Sequence, residues 1–340
     1  MAMAEHAGPL GAVAVSGGGD SLALMLLLRA FAQANRLEPP MVLTVDHGLR
    51  VSSAKDAKQV AAWARKAGLK AHVLTWRGKK PKNGLEAAGR EARYRLMGAW
   101  LAQRGIATLF VGHNQDDQAE TFLQRLARGS GLDGLAGMRA RAPWPSPDFP
   151  QLGVARPLLG FRREDLRAYL KAQGQAWLED PMNQDDRFDR VKMRKAQAVL
   201  AQAGLSSPRL AAAAAHLARA RESLEIVTQA VLVRAAKPWE GVAGGVLLDS
   251  AALAAAPREV GLRALASVLM AVGRQTYRPR FESLERLFDR IAQAKLSGGA
   301  TLHACHIRPL GRAKKDFAPF DLAVAPESPR KTGSSADSRE

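Results

Sequence analysis

Six consecutive residues near the start of the chain have the composition of a phosphate-binding loop. They follow an apolar segment and precede a helical run, and they are Ser16, Gly17, Gly18, Gly19, Asp20 and Ser21. Consecutive glycines permit positive φ and let backbone N–H groups approach an anion closely. The serines add hydroxyl donors, and the positive N-terminal end of the following helix lies at the same place. The segment therefore predicts a triphosphate site, in which Mg²⁺ would separate the Asp20 carboxylate from the phosphates.

Other nucleotide-binding loops fit this segment less well. The Walker loop requires Gly-x-x-x-x-Gly-Lys followed by Ser or Thr, and no lysine stands here. The dinucleotide loop Gly-x-Gly-x-x-Gly has a different spacing, although Asp46 does end the second predicted strand. A glycine turn that binds no ligand is the remaining alternative, and the flanking Ser and Asp residues favour the nucleotide.

A second polar cluster contains three acids within five positions, Asp116, Asp117 and Glu120, shortly after His113. On a helix that starts near Gln115, Asp116 and Glu120 share a face, and Asp117 points about 100° away. These acids could bind a metal and a cationic substrate, or they could only stabilise the positive end of the helix. His113 could polarise a phosphate or cap the strand end. The spacing alone does not rank these roles.

The first part of the chain alternates between short apolar segments and helical stretches, which predicts an α/β fold with a parallel sheet. The predicted strands are 11–16, 41–46, 71–76 and 108–112, and the predicted helices lie near 21–34, 54–67 and 84–103. Ligands of open parallel sheets bind at the carboxyl ends of the strands. Ser16, Asp46 and Gly112 would lie at that edge, so we expect the phosphate loop and the acidic cluster to converge there.

The second part of the chain is rich in alanine and arginine and predicts a smaller, mostly α-helical domain. We expect a catalytic domain over residues 1–200, a helical domain over 205–310 and a disordered tail over 311–340, where Lys, Pro and Ser are frequent. Residues 142–150 contain four prolines and predict a loop. Residues 301–310 predict one terminal strand.

The composition indicates a basic protein with an anionic partner. Fifty Lys and Arg residues against 32 Asp and Glu residues give a formal charge of +18, which favours a polyanion such as RNA. Taken singly, each arginine of the helical part could equally be solvated surface. The one cysteine, Cys305, excludes a disulfide framework and a thiolate zinc site, and we expect it to be buried. The sequence has no long apolar run and no signal peptide, so we expect no membrane partner and a cytoplasmic location.

Several blocks of sequence together resemble the tRNA(Ile)-lysidine synthase family of PP-loop enzymes, which are N-type ATP pyrophosphatases. These blocks are 16–21, 46–50, 84–94, 112–123, 128–131, 156–159 and 179–194. The resemblance implies a Rossmann-like, adenine-nucleotide-hydrolase-like domain that uses ATP and Mg²⁺. It also implies adenylation of the wobble cytidine in a tRNA(Ile) with a CAU anticodon, followed by attack of free L-lysine. Longer members carry a further C-terminal domain, for which we expect this chain to be too short, and a monomer and a dimer both stay open.

The resemblance also implies roles for individual residues. Asp20 is the first choice as a magnesium ligand, and Asp117 is the second. The expected catalytic residues are Asp20, Asp117, Arg93 and His113. The expected nucleotide-binding residues are Ser16, Gly17, Gly18, Gly19, Asp20, Ser21, Asp46 and Gly112. The expected substrate-binding residues are Asp116, Glu120, Arg90, Arg128, Asn183, Arg190 and Arg194. Arg90 and Arg93 could instead form an ordinary charged helix face, and residues 181–194 an ordinary surface linker.

Three other functions remain open. A PP-loop tRNA thiolase would need catalytic or cluster-binding cysteines, and the single cysteine counts against it. An ATP-dependent amide synthetase would use ammonia and often a glutaminase domain, and the sequence shows high basicity and no glutaminase segment. An RNA-binding protein without enzymatic activity would not need the acids near the phosphate loop.

Overall fold

The computed structural model describes residues 10–78, 80–81, 83–179 and 199–327. The chain divides into two compact units, residues 1–219 and 220–340. The predicted domain boundary between residues 200 and 205 stays a prediction. No helix among the described residues combines the length and the apolar character needed to cross a bilayer.

The first unit is an α/β layer structure around one six-stranded sheet. Its strands are β1 (Ala12–Ala14), β2 (Met41–Asp46), β3 (Ala71–Thr75), β4 (Thr108–Phe110), β5 (Arg141–Pro143) and β6 (Gly153–Ala155). Its helices are α1 (Gly19–Ala34), α2 (Ser53–Lys66), α3 (Leu85–Ala102), α4 (Gln115–Ala127), α5 (Leu132–Leu135) and α6 (Arg163–Ala172). The strand order is β3-β2-β1-β4-β6-β5, and all neighbours are parallel except the antiparallel pair β5 and β6.

Helices cover both faces of this sheet, because successive side chains of each strand point to opposite faces. On one face, Val13 belongs to a buried cluster with Leu24 of α1 and with residues of α2 and α6. On the other face, Ala12 and Leu43 belong to a buried cluster with Leu101 of α3. The predicted parallel α/β fold is therefore confirmed.

The strand order places a topological switch point beside β1. The chain moves from β1 outward through β2 to β3, and then returns to the other side of β1 at β4. Loops that leave β1 and β4 at their carboxyl ends diverge there and leave a crevice, which is where ligands of such sheets bind. The phosphate loop follows β1 and the acidic cluster follows β4, so the predicted convergence of the two is confirmed.

The second unit combines helices with an antiparallel sheet. The long helix α7 (Ser207–Ala235) begins in the first unit and continues into the second, followed by α8 (Ser250–Ala254), α9 (Arg258–Val272), α10 (Phe281–Ala292) and α11 (Lys314–Phe317). The strands are β7 (Ala236–Pro238), β8 (Val246–Leu248), β9 (Ala300–Leu302), β10 (Cys305–Pro309) and β11 (Leu322–Pro326), in the order β7-β8-β11-β10-β9. The mostly helical prediction holds, but it missed this sheet.

Two expectations for this unit are wrong. Residues 301–310 are not one strand but a hairpin, because His303 and Ala304 both have positive φ, as type I′ hairpin turns require. The expected tail is ordered at least to 327, since β11 pairs with both β10 and β8 and buries Val324 completely. A five-residue strand was hidden by the charged and proline-containing sequence around it. Residues 328–340 lie outside the described residues.

Candidate active site

The phosphate loop connects β1 to α1 and turns sharply at Gly17. This residue has φ +95°, and a Cβ atom there would lie 2.6 Å from Cδ1 of Leu178 and 3.0 Å from Cγ2 of Val60. Leu178 also donates its backbone N–H to the Gly17 carbonyl at 2.9 Å. Both the backbone angle and the surrounding side chains therefore require glycine at this position.

The other two glycines of the loop have ordinary backbone angles. Gly18 has φ −69° and is the N-cap residue of α1, which begins at Gly19. Positive φ, which all three glycines would permit, occurs in this loop only at Gly17. A Cβ atom at Gly18 would meet nothing closer than Oγ of Ser16 at 3.7 Å, so the surface around Gly18 is open.

The two serines hold the loop in shape. The hydroxyl of Ser21 donates to the Gly18 carbonyl at 2.9 Å and accepts the backbone N–H of Ser16 at 3.2 Å. Ser21 is buried, whereas Ser16 is exposed. Their role as phosphate donors stays a prediction, in which Ser16 presents the accessible hydroxyl.

The loop between β4 and α4 lies directly against the start of α1. A Cβ atom at Gly112 would lie 3.0 Å from the carbonyl group of Asp20 and from Cα of Ser21. The buried Asn114 begins α4 with a capping box: its side-chain oxygen accepts the Asp117 N–H, and Asp117 Oδ2 accepts the Asn114 N–H, both at 3.0 Å. Asp117 thus stabilises the helix end with one oxygen.

Arg163, the first residue of α6, joins the four acids of the site. Its backbone N–H donates to Oδ2 of Asp116 at 2.8 Å. Its guanidinium contacts Oδ1 of Asp117 at 2.9 Å, Oδ2 of Asp20 at 3.3 Å and Oε1 of Glu120 at 3.5 Å. Asp117 and Glu120, three positions apart, therefore share the face toward Arg163, while Asp116 binds the backbone. This differs from the expected pairing of Asp116 with Glu120.

Burial and charge oppose each other within this cluster. Burial raises the pKa of the Asp20 carboxyl, Arg163 lowers it and Asp117 raises it, so that it ends above its usual value. Burial would lower the pKa of the Arg163 guanidinium, but the four surrounding acids raise it above its usual value. The arrangement favours a cation at the centre of the acids.

The acids fit Mg²⁺ that is shared with phosphates. Mg²⁺ is usually held by one or two carboxylates together with substrate phosphates and waters. Asp20 and Asp117 supply hard oxygen atoms from two adjacent helix starts, and Oδ1 of Asp20 is buried without a hydrogen-bond partner in the described part of the chain. Among the described residues, no three His, Cys, Asp or Glu side chains are grouped to hold a metal alone. The site thus suits a metal completed by its substrate.

A second group of polar residues follows β2. Oδ1 of Asp46 accepts the backbone N–H of Gly48 at 3.0 Å and the hydroxyl of Ser53, so this carboxylate shapes the turn after the strand. The ring of His47 meets the Trp76 ring edge-on, with 6.5 Å between centroids. Nζ of Lys80 lies 3.7 Å from the centroid of the Trp76 ring.

Positive charges surround His47. Burial, together with the neighbouring Arg93, Lys80 and Arg50 and against the effect of Asp46, lowers the pKa of its imidazole to about 4. Arg93 is thereby placed beside His47. The surface after β2 is a basic wall of the site, in contrast to the acidic cluster after β4.

The remaining predicted site residues lie in different places. His113 is in the loop that precedes α4, and the guanidinium of Arg90 lies 5.0 Å from the Tyr94 ring on α3. Arg128 ends α4 on the far side from Asp117, about 16 Å along the helix axis. The structure therefore does not bring Arg128 to the carboxylate cluster.

Three predicted substrate-binding residues are not among those described. Asn183, Arg190 and Arg194 lie outside the described residues. Their roles stay predictions.

Sequence reasoning missed Arg163. Residues 162–165 read Arg-Arg-Glu-Asp, which is the usual composition of a charged helix start. Arg163 follows the family block 156–159 closely, and this position was the one indication of a functional role. The spacing of the residues does not link Arg163 to acids that lie more than forty residues earlier.

Comparisons with known proteins agree with these features. Residues 4–200 match the family model of the PP-loop domain. A tRNA(Ile)-lysidine synthase from Ruegeria pomeroyi is 43% identical over 304 residues, which cover 88% of this chain and 69% of the relative. A tRNA(Ile)-lysidine synthase from Methylobacterium nodulans is 40% identical over 323 residues, which cover 94% of this chain and 91% of the relative.

One solved structure is similar at a lower level. The U34-tRNA thiolase NcsA from Methanococcus maripaludis aligns with 63% of this chain and 71% of its own, at 16% identity and a TM-score of 0.49. No shared activity follows from a likeness of this size.

Proposed function

Because the chain belongs to the tRNA(Ile)-lysidine synthase family, we propose that it joins lysine to C2 of the wobble cytidine in a tRNA(Ile) with a CAU anticodon. The ATP-dependent reaction yields lysidine, AMP and pyrophosphate, and it changes codon reading from AUG to AUA. One observation carries the proposal for the site: the ion pair between Arg163 and Asp20 links the phosphate loop to the acids of α4. The nucleotide and a cationic substrate can therefore meet there.

In the first step, the C2 oxygen of cytidine attacks the α-phosphate of ATP. Negative charge then grows on the β- and γ-phosphates, which leave together as pyrophosphate. The open surface at Gly18 and the N-terminal end of α1 offer backbone N–H groups to these oxygens. Asp20 and Asp117 would hold Mg²⁺, which neutralises phosphate charge when it is bound.

In the second step, the lysine amine attacks C2 and AMP leaves. The attacking amine must be unprotonated, whereas the α-ammonium needs an anionic partner. Asp116, Asp117 and Glu120 are the acids within reach of this role, and Asp117 and Glu120 already pair with the cationic side chain of Arg163. We assign the α-ammonium to Glu120, because Asp116 accepts the Arg163 backbone N–H and Asp117 is engaged in the capping box and would hold the metal.

The RNA must expose its wobble base, because the reacting atoms are inaccessible in a stacked loop. The basic wall after β2, with Arg93, Lys80 and Arg50 around His47, is suited to the phosphates of the RNA. Basic side chains that line a groove pair with the phosphates of an unpaired strand.

The second unit offers a further RNA contact around the start of α10. Tyr277 and Phe281 are 65% and 62% exposed, and they alternate with Arg278 and Arg280 in the sequence. Exposed aromatic rings beside arginines are typical of surfaces that bind unpaired nucleotides. We therefore expect this segment to contact tRNA outside the reaction site.

A sulfur-transfer reaction through a protein thiol is not favoured. The single cysteine, Cys305, is completely buried in the second unit, and burial raises the pKa of its thiol to about 11. A thiol with that pKa is a poor nucleophile at neutral pH. The names of the curated relatives agree with lysine transfer instead.

The test is the transfer of labelled lysine to tRNA. The protein is incubated with ATP, Mg²⁺, labelled lysine and a tRNA(Ile) transcript carrying CAU, and in parallel with a transcript that has uridine at the wobble position. We expect label only in the cytidine transcript, together with one AMP per lysine incorporated. Release of AMP that requires ammonia or a sulfur donor, without lysine in the RNA, would contradict the proposal.

Matched variants assign the site. Asp20→Asn should lose activity at least about a hundredfold, as removal of a charge-stabilising group in an active site usually does. Asp148→Asn makes the same chemical change in an exposed loop, where the carboxylate accepts a hydrogen bond from the Ser146 hydroxyl, and should stay active. Equal activity of the two variants would disprove the role of Asp20.

The tRNA contact on the second unit is tested separately. The double variant Tyr277→Ala and Phe281→Ala should raise the KM for tRNA by about tenfold, with kcat nearly unchanged. Val233→Ala shortens another exposed apolar side chain of the same unit and serves as the control. An unchanged KM in the double variant would remove this segment from the tRNA contact.

A further inference from the structure

We propose that Arg163 is a resident cation that a divalent metal must displace from Asp20 and Asp117. The inference rests on the proposed function, because it concerns the metal that serves ATP in that reaction. The new element is that a residue of α6 controls the affinity for the metal, although it belongs neither to the phosphate loop nor to the acidic cluster.

The geometry of the guanidinium carries the proposal. Each of its three nitrogen atoms faces a different carboxylate: Nε faces Asp20 at 3.3 Å, Nη2 faces Asp117 at 2.9 Å and Nη1 faces Glu120 at 3.5 Å. The Arg163 side chain is 21% exposed, and that of Glu120 is 5% exposed. One planar cation thus occupies the space between the three acids.

Arg163 contacts one oxygen atom of each of the two carboxylates that would hold a metal. Asp117 Oδ2 accepts the Asn114 N–H in the capping box, which leaves Oδ1 for a metal, and Oδ1 holds the guanidinium. Asp20 Oδ2 faces Arg163 as well. A divalent ion held by Asp20 and Asp117 would lie close to the guanidinium and repel it, so the two cations would compete for these carboxylates.

The backbone of Arg163 is fixed independently of its side chain. Its N–H donates to Asp116 Oδ2 at 2.8 Å, at the first turn of α6. The side chain can therefore leave the acids while the helix start stays in place. Displacement requires only rotation about side-chain bonds, with the acidic cluster still anchored by the capping box.

The experiment measures Mn²⁺ binding to the full chain by electron paramagnetic resonance, without ATP, lysine or tRNA. Arg163→Gln removes the competing charge, so we expect Mn²⁺ to bind on the order of tenfold more tightly than to the unchanged protein. Arg163→Lys keeps a positive charge but cannot span three carboxylates, and should bind about threefold more tightly. Arg162→Gln, which loses the same charge at the neighbouring exposed residue, should bind as the unchanged protein does.

A second change locates the ion. Adding Asp117→Asn to Arg163→Gln should abolish the gain in affinity, since the bridging oxygen loses its charge. Mn²⁺ binding to Arg163→Gln that is equal or weaker would overturn the proposal and make Arg163 a residue that assembles the site. If thermal unfolding shows that Arg163→Gln does not fold, Arg163→Lys decides by the same criterion. Lysine transfer is absent from this assay, so a failure of the proposed function would be seen separately.

Discussion

Alanine at Gly17 should damage the fold, whereas alanine at Gly18 should damage ATP binding alone. At Gly17, a side chain would be forced to φ +95° and placed 2.6 Å from Leu178 and 3.0 Å from Val60. The backbone strain costs about 1–2 kcal/mol, and the overpacking costs about 1–3 kcal/mol more. The expected loss of about 2–5 kcal/mol is a large part of the stability of an ordinary domain.

At Gly18 the same methyl group meets no obstacle. The backbone has φ −69°, and the nearest atom to a Cβ would be Ser16 Oγ at 3.7 Å. Alanine is a poorer N-cap than glycine, but it also lowers the conformational entropy of the unfolded chain. The two effects oppose each other, so the free energy of unfolding should change by less than about 1 kcal/mol. The methyl group would instead lie on the open surface of the loop, where phosphates must approach.

Urea unfolding and calorimetric titration with ATP and Mg²⁺ test this pair of variants. We expect Gly17→Ala to unfold at a lower urea concentration, and Gly18→Ala to unfold as the unchanged protein does while its ATP affinity falls at least about tenfold. Unchanged ATP affinity in a folded Gly18→Ala protein would refute the assignment of phosphates to this loop. Normal stability of Gly17→Ala would refute the packing argument.

Three other changes test different parts of the first unit. His47→Gln should make the free energy of unfolding depend less on pH in the acid range. The pKa of His47 in the folded state is lowered from 6.5 to about 4. The unchanged protein therefore has a stability contribution of about 3 kcal/mol that is present above pH 6.5 and is lost as the pH falls toward 4. Parallel melting curves of variant and unchanged protein between pH 7 and 4 would contradict this. Asp117→Asn should keep the fold, because an amide oxygen can still accept the Asn114 N–H in the capping box. It should reduce lysine transfer at least about a hundredfold, because the uncharged amide no longer pairs with Arg163. Near-normal lysine transfer would exclude Asp117 from the chemistry. Gly89 lies inside α3, where an added Cβ atom would be 3.9 Å from the nearest side-chain atoms. Gly89→Ala should therefore raise the free energy of unfolding by about 0.5–1 kcal/mol. A lower melting temperature would show that the added methyl group does not fit there.

Local patterns were sufficient to predict β1 to β4 and the helices between them, whereas β5, β6 and α6 were not predicted. The predicted strands are short apolar segments between amphipathic helices, and the parallel sheet follows from that alternation. The switch point beside β1 then places the phosphate loop next to the β4–α4 loop, so two separate motifs could be predicted to form one site. These inferences succeed because each depends on neighbouring residues or on a general rule of topology.

The second unit was harder to predict because its strands do not alternate regularly with helices, and its antiparallel sheet joins segments that are far apart in the sequence. Leu322–Pro326 is too short to show an alternating pattern, and it follows a charged segment that resembles a tail. Its central position between β8 and β10 depends on pairing with Val246–Leu248, more than seventy residues earlier. Such long-range pairing leaves no signal in local composition.

Arg163 illustrates the same limit at the site itself. The acids of α4 could be identified in the sequence. Their individual roles could not be assigned, because the role of a carboxylate depends on the group that it contacts. The structure supplies that partner from a helix 43 residues beyond Glu120. It also separates the acids by their contacts: Asp116 binds the backbone of α6, Asp117 binds both the helix cap and the guanidinium, and Glu120 pairs with the guanidinium. Because one cation already fits between Asp20, Asp117 and Glu120, the affinity of this site for any other cation depends on Arg163 as much as on the acids.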